Sequence, residues 1–348
     1  MIDEIHVITD LQFGSTGKGL FAGYLAMLHE PDTVVCAWGP NAGHTFIDHN
    51  DRKYVHTMIP NGIVSPGLRR VLIGPGAVVN PIAMTAELQS CMDHMAYGVV
   101  FAIHESAAVV QNRHVQEEQV YGRLIGSTMK GTGAAVAEKI TRRTPDRPII
   151  ARDALRGTEL EQYVVNAEAY NELVDESRIM LVEGSQGFSL SINQGFYPHI
   201  TSRECTTNQI LSDCGIPFIN GLEAPIVYGV ARTYPIRVAN RYDESGKMIG
   251  TSGGCYPDQM ELEWKTIRRE PELTTVTKLP RRLFSFSQEQ IRQAVRMNGV
   301  DYVFLNFANY CDSDIILEDI MSKIEDYAPV TWTGWGPTIN DVRRVKGG

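Results

Sequence analysis

The segment Gln12-Phe13-Gly14-Ser15-Thr16-Gly17-Lys18-Gly19 places a lysine inside a glycine-rich turn. Glycines let a backbone curl until several N–H groups face one anion. A helix beginning at such a turn adds its dipole, and Lys18 adds a full positive charge. The implied chemistry is the holding of a phosphate. The turn is shorter than a standard phosphate-binding loop, and Gly19 stands where that loop carries Ser or Thr. Read alone, it is also compatible with an ordinary turn bearing a solvated lysine. A second segment, Gly39-Pro40-Asn41-Ala42-Gly43-His44-Thr45, surrounds one histidine with small residues that leave its imidazole accessible. His6, His29, His49, His56, His94, His104, His114 and His199 lack such a setting and read as structural or surface groups.

Both segments follow apolar runs of strand type. Ile5 to Thr9 precedes the first, and Thr33 to Trp38 precedes the second. After the first comes Leu20, Phe21, Tyr24, Leu25 and Leu28 at helical spacing. Further strands are expected at Val71–Ile73, Val99–Ile103, Ile179–Val182, Ile226–Val230 and Tyr302–Leu305, with helices at Leu160–Leu173 and Gln288–Met297 between them. This alternation predicts an α/β fold with a mainly parallel central sheet flanked by helices. No repeat or low-complexity linker interrupts the 348 residues, so the expectation is a single domain over 1–348 with long loop insertions. Gly122–Gly133 and Asp243–Pro271 read as mobile surface loops. In an open sheet of this kind ligands lie beyond the carboxyl ends of the strands, so the two glycine-rich turns should share a crevice.

Composition narrows the class. With 43% hydrophobic and 21% charged residues the chain reads as a globular protein, and it has no run of about 18 apolar residues to span a membrane. The acidic start, Met1-Ile2-Asp3-Glu4, does not resemble a secretion signal, so a cytoplasmic location is expected. Six scattered cysteines read as free thiols. A net charge of −9 argues against direct DNA binding, while leaving room for phosphate binding in one locally positive cleft.

The two loops together resemble those of the adenylosuccinate synthetase family, whose signatures are Q-W-G-D-E-G-K-G and N-A-G-H-T. The resemblance continues in order along nearly the whole chain. Gly126-Ser127-Thr128-Met129-Lys130-Gly131 resembles the family's IMP phosphate loop, and Arg142-Arg143 follows at its spacing. Glu183-Gly184-Ser185-Gln186-Gly187, Tyr197-Pro198-His199-Ile200-Thr201-Ser202, Thr274-Thr275-Val276-Thr277 with Arg281-Arg282, and Thr333-Gly334-Trp335-Gly336-Pro337 resemble later family segments. The resemblance implies a ligase that moves the γ-phosphate of a nucleoside triphosphate to the 6-oxygen of a purine nucleotide, where L-aspartate displaces it. Ser15, Lys18, His44 and Gln186 would be catalytic. Ser15, Thr16, Gly17, Lys18, Gly19, Gly43, His44 and Thr45 would hold the triphosphate, with Asn306, Phe307, Asn309, Gly336 and Pro337 around its base. Ser15, Asn41, Ser127, Thr128, Gln186 and Thr201 would hold the nucleotide monophosphate, joined by Arg142 from across a homodimer interface. Thr274, Thr275, Val276, Thr277 and Arg281 would bind aspartate. Ser15 and the Gly43 carbonyl would join the shell of a Mg²⁺ ion.

Three departures from the family pattern point one way. Ser15 replaces the family's aspartate base; it is neutral at pH 7, and its smaller side chain leaves room for a purine 2-amino group. Leu279 stands near a family arginine that touches the ribose 2′-hydroxyl, which suits a deoxyribose. Leu305-Asn306-Phe307-Ala308-Asn309 replaces L-T-K-L-D, removing the lysine and aspartate that read guanine, which implies an ATP or dATP donor. The combination resembles the phage branch of the family, whose members act on dGMP on the route to diaminopurine DNA; if phage-encoded, the protein would work in the host cytoplasm. The alternatives are a conventional synthetase using IMP and GTP, and a non-catalytic nucleotide-binding paralogue.

Overall fold

The computed structural model describes residues 2–92, 98–121, 127–142, 146–218, 224–274 and 278–345. Its centre is a ten-stranded sheet. In chain order the strands are β1 (Glu4–Asp10), β2 (Thr33–Cys36), β3 (Arg70–Ile73), β4 (Val100–His104), β5 (Val164–Val165), β6 (Ile179–Glu183), β7 (Ile226–Arg232), β8 (Tyr302–Asn306), β9 (Val330–Gly334) and β10 (Val342–Arg344). Their order across the sheet is β10-β9-β8-β7-β1-β6-β2-β3-β4-β5. Every neighbouring pair is parallel except β9 with β10. This bears out the expected mainly parallel sheet.

The central strands are apolar because a parallel sheet covered on both faces leaves no wet side. Six of the seven β1 residues are buried, as are all four of β2. Helix α1 (Lys18–His29) packs Leu20, Phe21, Leu25 and Ala26 into the core, with the Phe21 ring stacked on Phe304 of β8 at 4.5 Å. Further helices are α2 (Pro81–Met92), α3 (Asn112–Tyr121), α4 (Thr132–Thr141), α5 (Ala167–Asp175), α6 (Thr207–Asp213), α7 (Gln288–Asn298) and α8 (Asp314–Glu325). Because β1, β2, β6, β7, β8 and β9 run in parallel, the segments after Asp10, Cys36, Glu183, Arg232, Asn306 and Gly334 all leave the same edge of the sheet.

Two expectations fail locally. The helix expected over Leu160–Leu173 is a one-turn 3₁₀ segment at Glu161–Tyr163, the edge strand β5, and then α5. Asn166 caps α5 by accepting from Ala169 N at 2.8 Å, so its side chain starts a new helix where the apolar spacing suggested continuation. The segment Asp243–Pro271 is not a plain surface loop. Met248–Gly250 pairs with Arg241–Tyr242, Glu261–Leu262 pairs with Arg282–Phe284, and Trp264 and Ile267 are buried against Leu283. Of Gly122–Gly133, residues 122–126 lie outside the described set, and Thr132 and Gly133 already belong to α4.

Candidate active site at the carboxyl edge of the sheet

Asp10, the last residue of β1, organises the phosphate loop. One carboxylate oxygen accepts from Gln12 N at 2.9 Å and Gly14 N at 3.2 Å. The other accepts from the Thr16 hydroxyl and from Lys18 Nζ at 2.9 Å. Four donors on one buried carboxylate fold the loop around it. Lys18 Nζ also donates to the Gln186 carbonyl at 2.6 Å, which joins the loops after β1 and β6. Gly17 has φ +93, and a side chain there would run into the Asn306 carboxamide, which itself donates to Thr16 O at 3.0 Å. A side chain at Gly187 would strike Gly14 N and Gln12 O, so these loops touch backbone to backbone. Ser15 and Gln186 both adopt left-handed backbone, at φ +56 and φ +61. Ser15 is exposed to the cleft, while Lys18 is buried within the loop.

The loop after β2 delivers His44 as the first residue of a hairpin, His44–Ile47 with Lys53–His56. Its imidazole stacks on Trp38 with ring centres 3.9 Å apart, and Trp38 is anchored by donating to the Glu183 carbonyl at 2.8 Å. Contrary to the accessible imidazole that its small neighbours suggested, His44 is buried under the Trp38 ring, and its Nε2 has no partner. Burial, then the positive charge of Lys18, then His56 hold its pKa well below 6.5, so the imidazole is neutral at pH 7. A Cβ at Gly19 would lie 2.7 Å from Thr45 N and 2.6 Å from Asn61 Nδ2, which puts the His44–Thr45 backbone over the first turn of α1. Lys18, His44 and Gln186 therefore converge, as the spacing of their motifs implied.

The third segment, Ser127–Lys130, leads into α4. Glu118 of α3 caps that helix, accepting from Gly131 N at 2.9 Å, Gly133 N at 2.6 Å, Ala134 N at 3.3 Å and the Ser127 hydroxyl at 3.3 Å. Ser127 and Thr128 are half-exposed beside this cap. A Cβ at Gly39 would meet the Thr132 side chain at 2.8 Å and Asn41 Oδ1 at 3.5 Å, so the Asn41 loop abuts the same helix start. Thr201 is half-buried and its N–H donates to Leu190 O at 2.7 Å; Leu190 in turn packs toward Gly14. Arg142 stands apart. It is exposed just past the far end of α4, about 15 Å along the helix axis from Thr132, as ten residues at 1.5 Å each require.

Thr274 is buried, with its hydroxyl accepting from Leu279 N at 3.1 Å, and the Leu279 side chain is exposed. Thr275, Val276 and Thr277 lie outside the described residues. Arg281 is half-buried. After β8, the Asn306 carboxamide bridges Thr16 O and Phe307 N, and Phe307 takes φ +60. Asn309 is half-buried, its carbonyl accepting from Arg269. Gly336 and Pro337 follow β9, which is adjacent to β8; a side chain at Gly336 would collide with the Asp341 carboxyl that caps the turn at Thr338.

Sequence reasoning passed over Asp10, Trp38, Glu118 and Arg232. A carboxylate ending an apolar strand eight residues before Lys18 was a readable signal for Asp10. Nothing in the spacing pairs Glu118 with α4 or Trp38 with His44. The ring contact and the cap arise from packing between separate segments. Among the described residues no three His, Cys, Asp or Glu side chains gather as a metal site. Ser15 and Gly43 are both exposed at the cleft and offer one oxygen each.

Comparison with known proteins identifies the family and the fold. The family model of adenylosuccinate synthetase matches residues 7–148 and 150–314. The chain is 47% identical to the N6-succino-2-amino-2′-deoxyadenylate synthase of Acinetobacter phage SH-Ab 15497, over 98% of this chain and 94% of that one. It superposes with a TM-score of 0.91 and 42% identity on the Cyanophage S-2L succinoaminodeoxyadenylate synthetase bound to dGMP and to dATP as energy donor, covering 99% and 96% of the two chains. The fully ligated adenylosuccinate synthetase of Plasmodium falciparum, at 18% identity and a TM-score of 0.75 with 99% and 100% coverage, shares the fold.

Proposed function

The chain belongs to the adenylosuccinate synthetase family, and on that premise we propose that it joins L-aspartate to C6 of dGMP, with ATP or dATP as energy donor and a 6-phosphoryl intermediate. The observation that carries this reading is the cleft in which Lys18, the unpartnered Nε2 of His44 and the Gln186 loop converge around Ser15, in a chain close to phage enzymes of that specificity. The product is 2-amino-2′-deoxy-N6-succinyl-AMP, with ADP (or dADP) and phosphate.

The residues divide the work by charge and position. An ammonium has three donors; Lys18 has committed two to Asp10 and Gln186, leaving the third for a phosphate oxygen. Its position is set before the nucleotide arrives, so little reorganisation is needed as charge develops. His44, neutral in the empty cleft, meets the transferring phosphoryl group with Nε2; the approach of negative charge raises its proton affinity and equips it to act as an acid. Gln186, Ser127, Thr128, Asn41 and Thr201 hold dGMP, with Arg142 supplied by a second copy of the chain in a homodimer. Thr274 to Thr277 and Arg281 receive aspartate. Phe307, Asn309, Gly336 and Pro337 line the donor's base, with Asn309 in the place of the family's guanine-reading aspartate. The exposed Leu279 leaves the sugar's 2′ position without a polar contact.

Ser15 cannot accept the purine N1 proton as a carboxylate would. Asp10 does not substitute for it, since its oxygens are buried and already accept from four donors. Water on Ser15, a phosphate oxygen or the incoming aspartate remain as acceptors. Mg²⁺ would be held by the Ser15 hydroxyl and the Gly43 carbonyl together with phosphate oxygens, which suits a hard cation that takes few protein ligands; when bound it neutralises charge on the β- and γ-phosphates.

The test incubates the protein with Mg²⁺ and aspartate, plus either dGMP and ATP or IMP and GTP, and measures phosphate and the succinyl product. Product with the first mixture is expected. Product from only the second would reject the dGMP reading, and nucleotide binding without phosphate release in either would indicate a non-catalytic protein.

A further inference from the structure

Arg232 ends β7 and is fully buried, yet its guanidinium faces three separate parts of the site. It donates to the Ser15 carbonyl at 3.0 Å. It forms a two-pronged pair with Glu272 at 2.5 and 3.4 Å. Its plane lies over the Phe307 ring, 3.8 Å from the centroid. Glu272 sits two residues before Thr274, accepts from the Tyr310 hydroxyl at 3.1 Å, and its carbonyl accepts from Arg281 N at 2.8 Å. The backbone of Arg232 is itself clamped: Gln12 Nε2 donates to its carbonyl at 3.1 Å and its N–H donates to Gln12 Oε1 at 3.0 Å. One side chain thus touches the phosphate loop, the segment at the donor base and the root of the aspartate turn.

We propose that Arg232, with Glu272 as its counter-ion, is a positioning residue that couples the segment from Glu272 to Thr274, at the root of the aspartate-binding segment, to the phosphate loop by fixing the Ser15 backbone. This rests on the functional reading above and adds a residue to it. A non-glycine residue at φ +56 is strained and persists only where its surroundings over-determine it. Arg232 supplies that constraint at the Ser15 carbonyl. Only a planar fork can reach a carbonyl, a carboxylate and a ring face at once. Lysine keeps the charge but loses this arrangement. The pair also keeps Glu272 ionised: burial pushes its carboxyl up, but Arg232 and Tyr310 outweigh this and hold it below the ordinary range. Thr274, two residues on, then stands next to a fixed point.

The test compares wild type with Arg232→Lys, Glu272→Gln and the double variant, each checked for folding by its melting temperature and by dGMP affinity without aspartate. Each single variant should raise the KM for aspartate at least tenfold and weaken equilibrium ATP binding several-fold, both by more than the change in dGMP affinity. The double variant should add little to either single change, because both remove one linkage. Fully additive effects, or unchanged aspartate KM and ATP affinity in folded variants, would overturn the proposal. Equal losses in dGMP, ATP and aspartate binding together with a lowered melting temperature would also overturn it, by showing a general structural role. Should Arg232→Lys not fold, Glu272→Gln carries the same readouts. A wild type inactive with dGMP sinks the functional reading instead, and ATP affinity, which needs no turnover, still decides the role of Arg232.

Discussion

Ser15 and His44 show how a neutral side chain can stand in a site built for charge. On the proposed function, Ser15→Asp would place a carboxylate beside purine C2 and crowd the 2-amino group. It should lower kcat/KM for dGMP by about tenfold or more, a cost of 1.4 kcal/mol; unchanged dGMP turnover would show the steric reasoning to be wrong. His44→Ala should lower kcat roughly 10²-fold with dGMP affinity retained, as expected for loss of an acid that meets the phosphoryl group. Glu183 gives a prediction in pH. Burial raises its pKa to about 7, despite the N–H groups of Asn61 and Gly62 that favour its ionised form. A carboxyl raised in the folded state stabilises below its unfolded value of about 4.5, and that contribution is lost as pH rises through about 7. His44 runs the other way, since its depressed pKa favours the fold above about 6.5 and that favour is lost as pH falls. Urea midpoints of wild type and Glu183→Gln measured from pH 5 to 8 should therefore diverge in slope. The wild type should lose roughly 3 kcal/mol relative to the variant across that window, and parallel curves would contradict the assignment.

At the scale of the element, the phosphate loop is held by contact rather than by propensity. Gly17 is left-handed and lies against Asn306, so Gly17→Ala meets both a backbone penalty of about 1 kcal/mol and a side chain with no room to retreat. The expected result is a KM for ATP raised by roughly tenfold with the aspartate KM little changed, measured by steady-state kinetics. A wild-type ATP KM would mean that the loop opens freely at this point. The same logic explains α4: a helix whose first N–H groups have no internal partner is completed by Glu118 of a different helix, which fixes where Ser127 and Thr128 emerge.

The whole molecule gathers its loops by running six strands in one direction, so that segments hundreds of residues apart in sequence leave one edge. Arg142 is the exception, exposed at the wrong end of α4 to reach the cleft of its own chain. On the reading proposed above, a symmetric homodimer would bring it to the partner's site. Arg142→Ala should raise the dGMP KM about tenfold while ATP affinity is kept. Mixed with the inactive His44→Ala protein and assayed at dGMP well below its KM, it should recover about a quarter of wild-type activity, since half of the chains pair as hybrids with one complete site each. No recovery on mixing would rule out a shared site.

The sequence alone determined the chemistry on offer and the class of fold. Apolar runs alternating with helical spacing require a covered parallel sheet. The order of the loops Gln12–Gly19, Gly39–Thr45 and Glu183–Gly187 carries Lys18, His44 and Gln186 to its carboxyl edge. Short-range patterns of this kind are legible because they rest on local geometry. Tertiary structure decided the charge states and the supports. It made His44 neutral by stacking it on Trp38 near Lys18, saturated Asp10 with four donors, and buried Arg232 between Ser15, Glu272 and Phe307. These depend on which segments meet in space, where removal from water and the proximity of unlike charges change what a side chain does, and no spacing along the chain encodes that directly.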